Sequence, residues 1–251
     1  MKKILFVATM LAMVLSLSAQ RQMYVWQDGV KTTYEVANVD SITFGKVENP
    51  DPNTGATGSE NGYEYVDLGL SVKWATCNVG ATKPEEFGFE FVWGETQPYF
   101  GYFWNTYKWC RGSFNTLTKY NTNSSYGTVD NKTTLELSDD AARANWGGSW
   151  RMPTDAELTE LREQCTWTWT TQNGVYGCKV TSKKSGYTNK SIFLPINRID
   201  DYYGLYGGCY WSSSLCTDSP DSAWYLGFGP NSVNRDRLER VYESCVRPVC
   251  Q

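Results

Sequence analysis

No histidine occurs anywhere in this chain of 251 residues. That absence removes Ser-His-Asp and Cys-His catalysis, imidazole metal sites and a histidine proton shuttle. A general acid or base would have to be a carboxylate, lysine, tyrosine or thiol. Surplus positive charge is also missing: 23 lysines and arginines against 27 aspartates and glutamates leave a formal net charge of −4. Nucleic acids and anionic membranes favour a basic surface, so neither is an expected partner. After the first stretch of the chain, no apolar run is long enough to span a bilayer.

What is present begins with a charged and then apolar start. Residues 1–20 read as a secretory signal peptide, with Lys2 and Lys3, an apolar run from Ile4 to Leu17, and small residues at Ser18 and Ala19. No cysteine follows closely, so a lipid anchor is not expected. The mature chain is expected to be secreted or held at the cell surface. Eight cysteines, at positions 77, 110, 165, 178, 209, 216, 245 and 250, suggest disulfides or buried structural thiols in such a compartment. Only Cys245 and Cys250 lie close in sequence, and their spacing is not that of a zinc knuckle.

Residues 21–46 read as a small β-rich unit. Met23 to Trp26 and Thr32 to Val36 flank Asp28-Gly29 as a hairpin, and Val39 to Phe44 supplies a third strand. Residues 47–62, with Pro50, Pro52, Gly55, Gly58 and Gly62, have a linker's composition. Residues 63–251 are long enough for one well-cored domain.

Within that domain Tyr65 to Leu68 and Ser71 to Thr76 read as short strands, and Phe87 to Tyr126 as mostly long loops. Ser138 is expected to cap a short helix with Asp139 and Asp140 near its positive end. Thr154-Asp155-Ala156-Glu157 is a capping box, and Leu158, Leu161 and Cys165 follow on one helical face. Gly177 to Ser182, Ser191 to Leu194, Tyr210 to Leu215, Ala223 to Phe228 and Cys245 to Val249 have strand character. Trp74, Trp93, Trp146, Trp150 and Trp224 are expected in the core. Tyr202, Tyr203, Tyr206, Tyr210 and Trp211 form an aromatic cluster suited to gripping a surface.

Two bracketing motifs stand out. One is Asn145-Trp146-Gly147-Gly148-Ser149-Trp150-Arg151-Met152-Pro153-Thr154; its Arg151 is expected to staple loop carbonyls or a carboxylate. The other runs Tyr210-Trp211-Ser212-Ser213-Ser214, then Ala223 to Phe228, and closes on Ser244-Cys245-Val246-Arg247-Pro248-Val249. With Tyr65 to Ala81, Phe91 to Glu95 and Ile192 to Pro195, they resemble the Fibrobacter succinogenes major paralogous domain family. That family is C-type-lectin-like and distantly similar to formylglycine-generating-enzyme domains. The resemblance implies an α+β fold: a C-type-lectin-like unit with a twisted antiparallel sheet, two helices and long loops, here preceded by the small β-rich piece. It implies a bacterial ligand-binding protein, not an enzyme.

Two relatives' chemistries do not carry over. Calcium-dependent lectins use Glu-Pro-Asn or Gln-Pro-Asp with Trp-Asn-Asp; here Gln97-Pro98-Tyr99 lacks the third ligand and Trp-Asn-Asp is absent. No cofactor and no metal site is therefore expected, although Asp130, Asn131, Glu136, Asp139 and Asp140 are oxygen donors of the kind calcium takes. A solvated acidic loop and a helix start explain those five more simply. The formylglycine-generating oxidases use two cysteines, but Cys245 lies inside the terminal strand motif. An enzyme of that type remains the alternative, beside a structural cell-surface protein.

Between Gly204 and Tyr242, framework residues alternate with an unpatterned polar mixture that includes Cys209, Cys216, Asp218 and Asp221. The layout resembles the variable region of proteins diversified by retroelements on a lectin-like scaffold. An ordinary polar loop is the plainer reading. The expected ligand is a protein or glycan surface, with Tyr206, Tyr210, Asn231, Asn234, Arg235, Arg237, Arg240 and Tyr242 as contacts. No catalytic residue is expected.

Overall fold

In the computed structural model, residues 22–27, 30–35, 55–98, 103–200 and 205–251 are described. The signal-peptide residues, the expected third strand at 39–44, Tyr99, Tyr202 and Tyr203 lie outside them. The chain divides into two compact units, Met1–Gly45 and Lys46–Gln251.

In the first unit, β1 (Gln22–Gln27) pairs antiparallel with β2 (Val30–Glu35), with Gln27 opposite Val30.

The second unit opens with β3 (Gly58–Glu60), β4 (Tyr63–Val66), β5 (Lys73–Ala75) and β6 (Glu90–Val92). The end of the segment read as linker is thus a strand: β3 pairs with β4, and Gly58 lies so close to Tyr65 that a Cβ would stand 2.4 Å from its hydroxyl. Two helices follow, α1 (Ala141–Trp146) and α2 (Asp155–Gln164). The remaining strands are β7 (Cys165–Gln172), β8 (Val175–Ser182), β9 (Ser191–Pro195), β10 (Arg198–Asp200), β11 (Leu205–Leu215), β12 (Ser222–Gly229), β13 (Ser232–Glu239), β14 (Glu243–Cys245) and β15 (Val249–Cys250). The architecture is α+β and mostly strand.

Strand pairing closes the unit on itself. One sheet runs β13-β12-β11-β14-β6, with β10 beside β11; a second runs β15-β5-β4-β3; a third runs β7-β8-β9. All pairs are antiparallel except β11 with β14. The last strand, β15, lies on β5, and Val249 also exchanges backbone hydrogen bonds with Arg151 at 3.0 and 2.9 Å. The chain's end is thereby tied both to an early strand and to the first motif.

Strand alternation divides the core. Tyr210, Leu226 and Phe228 point into a cluster with Leu158, Leu161, Val180 and Ile192. Their neighbours Trp211, Leu215 and Ala223 point the other way, against Trp93, Tyr120, Trp150 and Met152. A strand whose successive side chains face opposite sides supplies both cores at once.

The first motif earns its residues through close packing. Gly147 and Gly148 adopt φ of 64° and 54°, a region costly for residues with a Cβ. They lie against the β3–β4 turn, where a Cβ on Gly148 would stand 2.6 Å from that of Asn61. The Trp150 indole donates to the Glu60 carbonyl at 2.7 Å. The carboxylate of Glu60 accepts the Ser149 N–H at 2.9 Å. Arg151 forms a bidentate pair with Glu157 at 2.8 and 2.5 Å and also holds the Met152 carbonyl at 3.0 Å.

α1 begins later than the sequence suggests. Leu137–Asp139 forms a 3-10 turn, and Asp140 is the N-cap, accepting the Arg143 N–H at 3.0 Å. Its second carboxylate oxygen takes the Met152 N–H at 2.8 Å, a partner Ser138 does not have.

Candidate functional site

β12 and β13 form a hairpin in full register, from Ser222 opposite Glu239 to Gly229 opposite Ser232. Pro230 and Asn231 make the turn. β13 is the edge of its sheet, and its edge is defended: the Arg237 N–H donates to the Asp236 carboxylate at 2.7 Å. Alternating charges along such an edge discourage further strand pairing.

The pleat of β13 assigns its side chains. Val233, Arg235 and Arg237 share the side of Phe228, Leu226 and Trp224, while Asn234, Asp236 and Leu238 share the side of Gly227, Tyr225 and Ala223. Arg235 is half-buried. Its fork grips Asp155, with Nε–Oδ1 at 2.6 Å and Nη2–Oδ2 at 2.8 Å, and its guanidinium lies 3.3 Å from the Trp224 ring centroid. The hydrogen bond to Asp155 holds the Arg235 pKa above its ordinary value. Trp224 is therefore half-buried beneath a guanidinium, not a core ring.

Beside the end of β13 lies an open hollow of about 370 Å³, lined by Ser219, Asp221, Ser222, Arg237, Leu238, Glu239 and Tyr242. One wall is the turn before β12. The exposed Arg237 reaches it, donating to the Ser219 hydroxyl at 3.2 Å. A guanidinium, two carboxylates, hydroxyls and a phenol face one space, so the surface offers donors, acceptors and both signs of charge.

No family model, curated protein or solved structure matches the chain.

Of the expected contacts, the structure brings Arg237 and Tyr242 together in the hollow. Asn231 and Asn234 are exposed toward the other end of the hairpin. At about 3.3 Å per residue, Asn231 lies roughly 20 Å along the strand from Arg237. Tyr206 lies in β11, but its side chain is outside the described residues.

Two contacts must be withdrawn. Tyr210 is 1% exposed; its hydroxyl donates to the Pro195 carbonyl at 2.7 Å and accepts from Asn78 at 3.2 Å. Burial pushes its phenol pKa far up. Arg240 is fully buried, donating to the carbonyls of Tyr120 at 2.9 Å and Lys119 at 3.3 Å between the rings of Trp93 and Tyr107. Trp211 is likewise buried, so it and Tyr210 do not extend an aromatic surface. The sequence reading missed Ser219 and Glu239. The Ser219-Pro220-Asp221-Ser222 turn signal points to Ser219 alone; Glu239 reaches the hollow through its pairing opposite Ser222.

The acidic residues around α1 are committed to the chain itself. Asp130 accepts the N–H groups of Tyr120, Asn121 and Lys132 at 2.9, 2.9 and 3.2 Å. Asp139 takes Lys119 and the Tyr120 hydroxyl, each at 2.5 Å, and Glu136 pairs with Lys119 and Lys132. Among the described residues, no three His, Cys, Asp or Glu side chains gather as a metal would require.

All eight cysteines are described, and all are free thiols with no pair at disulfide distance. Of the two expected states, disulfides or buried thiols, the structure has thiols, six of them buried. Each sits on a separate strand or loop; Cys110 and Cys209 are partly exposed, Cys165, Cys178 and Cys245 are packed within the first core cluster, and Cys250 within the second. Burial pushes the pKa of Cys165, Cys178 and Cys250 up to about 11. A thiol held protonated at neutral pH is a poor nucleophile. No helix among the described residues is long and apolar enough to cross a membrane.

Proposed function

We propose that this chain is an exported bacterial binding protein whose second unit is a C-type-lectin-like domain. It recognises a protein or glycan surface through the β12–β13 hairpin and the hollow beside it. One observation carries the reading: β13 presents Asn234, Asp236, Arg237 and Glu239 to solvent at the edge of a sheet whose strand β11 is buried from Tyr210 to Ser213. The return of β15 to β5 and the presence of two helices favour the lectin-like assignment. The protonated, buried state of Cys250 weighs against a formylglycine-type oxidase.

The same separation of exposed face from buried frame suits a retroelement-diversified receptor. Population sequencing of the codons for 204–251 is the check on that part. Changes confined to exposed hairpin and hollow positions are expected, with none in Tyr210 to Ser214 or Val246 to Val249. The binding reading itself is tested with arrays of surface proteins and glycans, comparing the native chain with Asn234→Ala/Arg237→Ala/Tyr242→Ala. Interactions made by the native chain should be lost in the triple variant. Interactions that persist unchanged would place the binding face elsewhere.

A further inference from the structure

The sheets of the second unit end in different ways. β13 carries Arg235, Asp236, Arg237 and Glu239 along its edge. β9 is closed by side chains: its Phe193 carbonyl accepts from Arg247 at 2.9 Å, and its Pro195 carbonyl from the Tyr210 hydroxyl at 2.7 Å. β3, β6, β10 and β15 are no more than three residues long. β7 has none of these protections. It is eight residues long, rich in threonine and tryptophan, and holds no charge and no proline. An edge of that kind recruits another strand.

The phase of its pairing with β8 fixes which backbone groups it offers. Thr171 lies opposite Tyr176, whose carbonyl accepts the Ile196 N–H at 3.0 Å on the β9 side. Opposed residues in an antiparallel ladder turn their N–H and C=O groups either toward each other or both away. Thr171 therefore turns its groups outward, and so do Trp169 and Trp167 at two-residue steps. Among the described residues, nothing bonds to those outward groups. The rings of Trp167 and Trp169 pack against the first core cluster, Trp167 with its centroid 5.6 Å from that of Phe228, while Thr166 and Thr168 are exposed. The strand is anchored by its tryptophans and open along its edge.

We propose that β7 is a dimerisation edge, adding to β7 of a second copy across a two-fold axis at Thr168. Thr166-Trp167-Thr168-Trp169-Thr170 reads the same in both directions. Antiparallel self-pairing centred on Thr168 sets Thr166 against Thr170, Trp167 against Trp169, and Thr168 against itself. The phase agrees. Trp167 and Trp169, with outward backbone groups, become hydrogen-bonded partners, and Thr168 takes the closer, non-bonded position. Threonine pairs and aromatic pairs across strands are favourable, and no like charges meet. A self-complementary patch is what a closed two-fold dimer requires. An unrelated strand would gain the same backbone bonds without calling for a palindrome. The joint uses no residue of β12, β13 or the hollow beside them, so it stands or falls apart from the binding reading.

The test is sedimentation equilibrium of the full chain over a concentration series, and a reversible monomer–dimer equilibrium is expected. Lys179 stands opposite Thr168 within the chain. Thr168→Lys would therefore line cations across the joint and should weaken the dimer about tenfold or more. Its far-UV circular dichroism should match the native chain's, because Thr168 is exposed. Arg237→Ala should leave the dimer unchanged. Mild oxidation reads the register. Thr168→Cys should give a covalent dimer in yield well above the native chain's, since non-bonded partners have Cα atoms about 4.5 Å apart. Thr166→Cys should not, its two copies lying at least about 14 Å apart along the strands. The proposal is overturned if the chain is still monomeric at ~1 mM, if the Thr168→Lys dimer is as tight as the native one, or if Thr166→Cys cross-links as readily as Thr168→Cys.

Discussion

Arg247 and Arg237 lie on the same C-terminal stretch and use the same side chain in opposite ways. Arg247 is 1% exposed, and its fork donates to Asn78, Ala75, Thr76 and Phe193 at 2.7 to 3.0 Å. Every one of those acceptors is neutral. The guanidinium ties a loop, a strand end and β9 into one frame, and desolvation holds its pKa below the ordinary value. Arg237 is exposed on an edge strand and makes a single side-chain bond, to Ser219. Residue type alone does not separate frame from face. The number of backbone carbonyls within reach does, since a buried guanidinium is tolerable only where its donors are satisfied.

The comparison breaks first at Arg247. Arg247→Met should lower unfolding stability by about 3–5 kcal/mol in urea titration, because buried acceptors lose their donors together. A loss below about 1 kcal/mol would mean that water replaces the guanidinium and that the frame does not depend on it.

Gly148 is the next test of the frame. Gly148→Ala meets both a left-handed φ and the Asn61 Cβ, and should cost about 2–3 kcal/mol. The same unfolding experiment reads it, and a neutral result would show that the β3–β4 turn moves aside easily.

Acid sensitivity sharpens the contrast further. Burial alone would raise the Glu157 pKa, but the Arg151 pair and the Thr154 N–H outweigh it, and the net shift is downward. Asp130 and Asp139 also end below their ordinary values, held there against burial by backbone N–H groups and by Lys119 with Tyr120. A carboxylate depressed in the folded state stabilises above its unfolded pKa and loses that contribution as pH falls through the folded value. Asp140 opposes this, since burial raises its pKa. The melting temperature should fall between about pH 5 and about pH 3, and Glu157→Gln should flatten the fall. A native profile that is flat over that range would contradict the ion-pair assignment.

The smallest effect concerns Arg235, which sits between the two regions. A double-mutant cycle of Arg235→Ala with Asp155→Ala should give a coupling of about 0.5–1 kcal/mol, as befits a partly exposed pair. Zero coupling would return Arg235 to the free face.

How much of this was legible in the sequence depended on distance along the chain. The capping box was readable because its partners are three residues apart: the Thr154 N–H reaches the Glu157 carboxylate at 2.7 Å, and the Glu157 N–H reaches the Thr154 hydroxyl at 3.3 Å. The strand character of β8, β9, β11 and β12 was readable locally, in β12 from the alternation of Trp224, Leu226 and Phe228 with their neighbours. β7 was missed although threonine and tryptophan alternate through Thr166 to Thr170. β13 was missed because its inward positions include Arg235, whose partner Asp155 lies 80 residues away. Arg240 was placed on the surface for the same reason, its acceptor on Tyr120 being 120 residues distant. Arginines held by remote carbonyls carry no local pattern, so the site residues were less legible than the elements bearing them.

The most direct measurement compares two libraries of the full chain, displayed and sorted for protease resistance. One randomises Asn231, Asn234, Asp236, Arg237, Glu239 and Tyr242; the other randomises Tyr210, Trp211, Arg240, Cys245, Val246 and Arg247. Most members of the first library are expected to stay folded and almost none of the second. Comparable survival of the two libraries would contradict the division into an exposed face that tolerates substitution and a buried frame that does not.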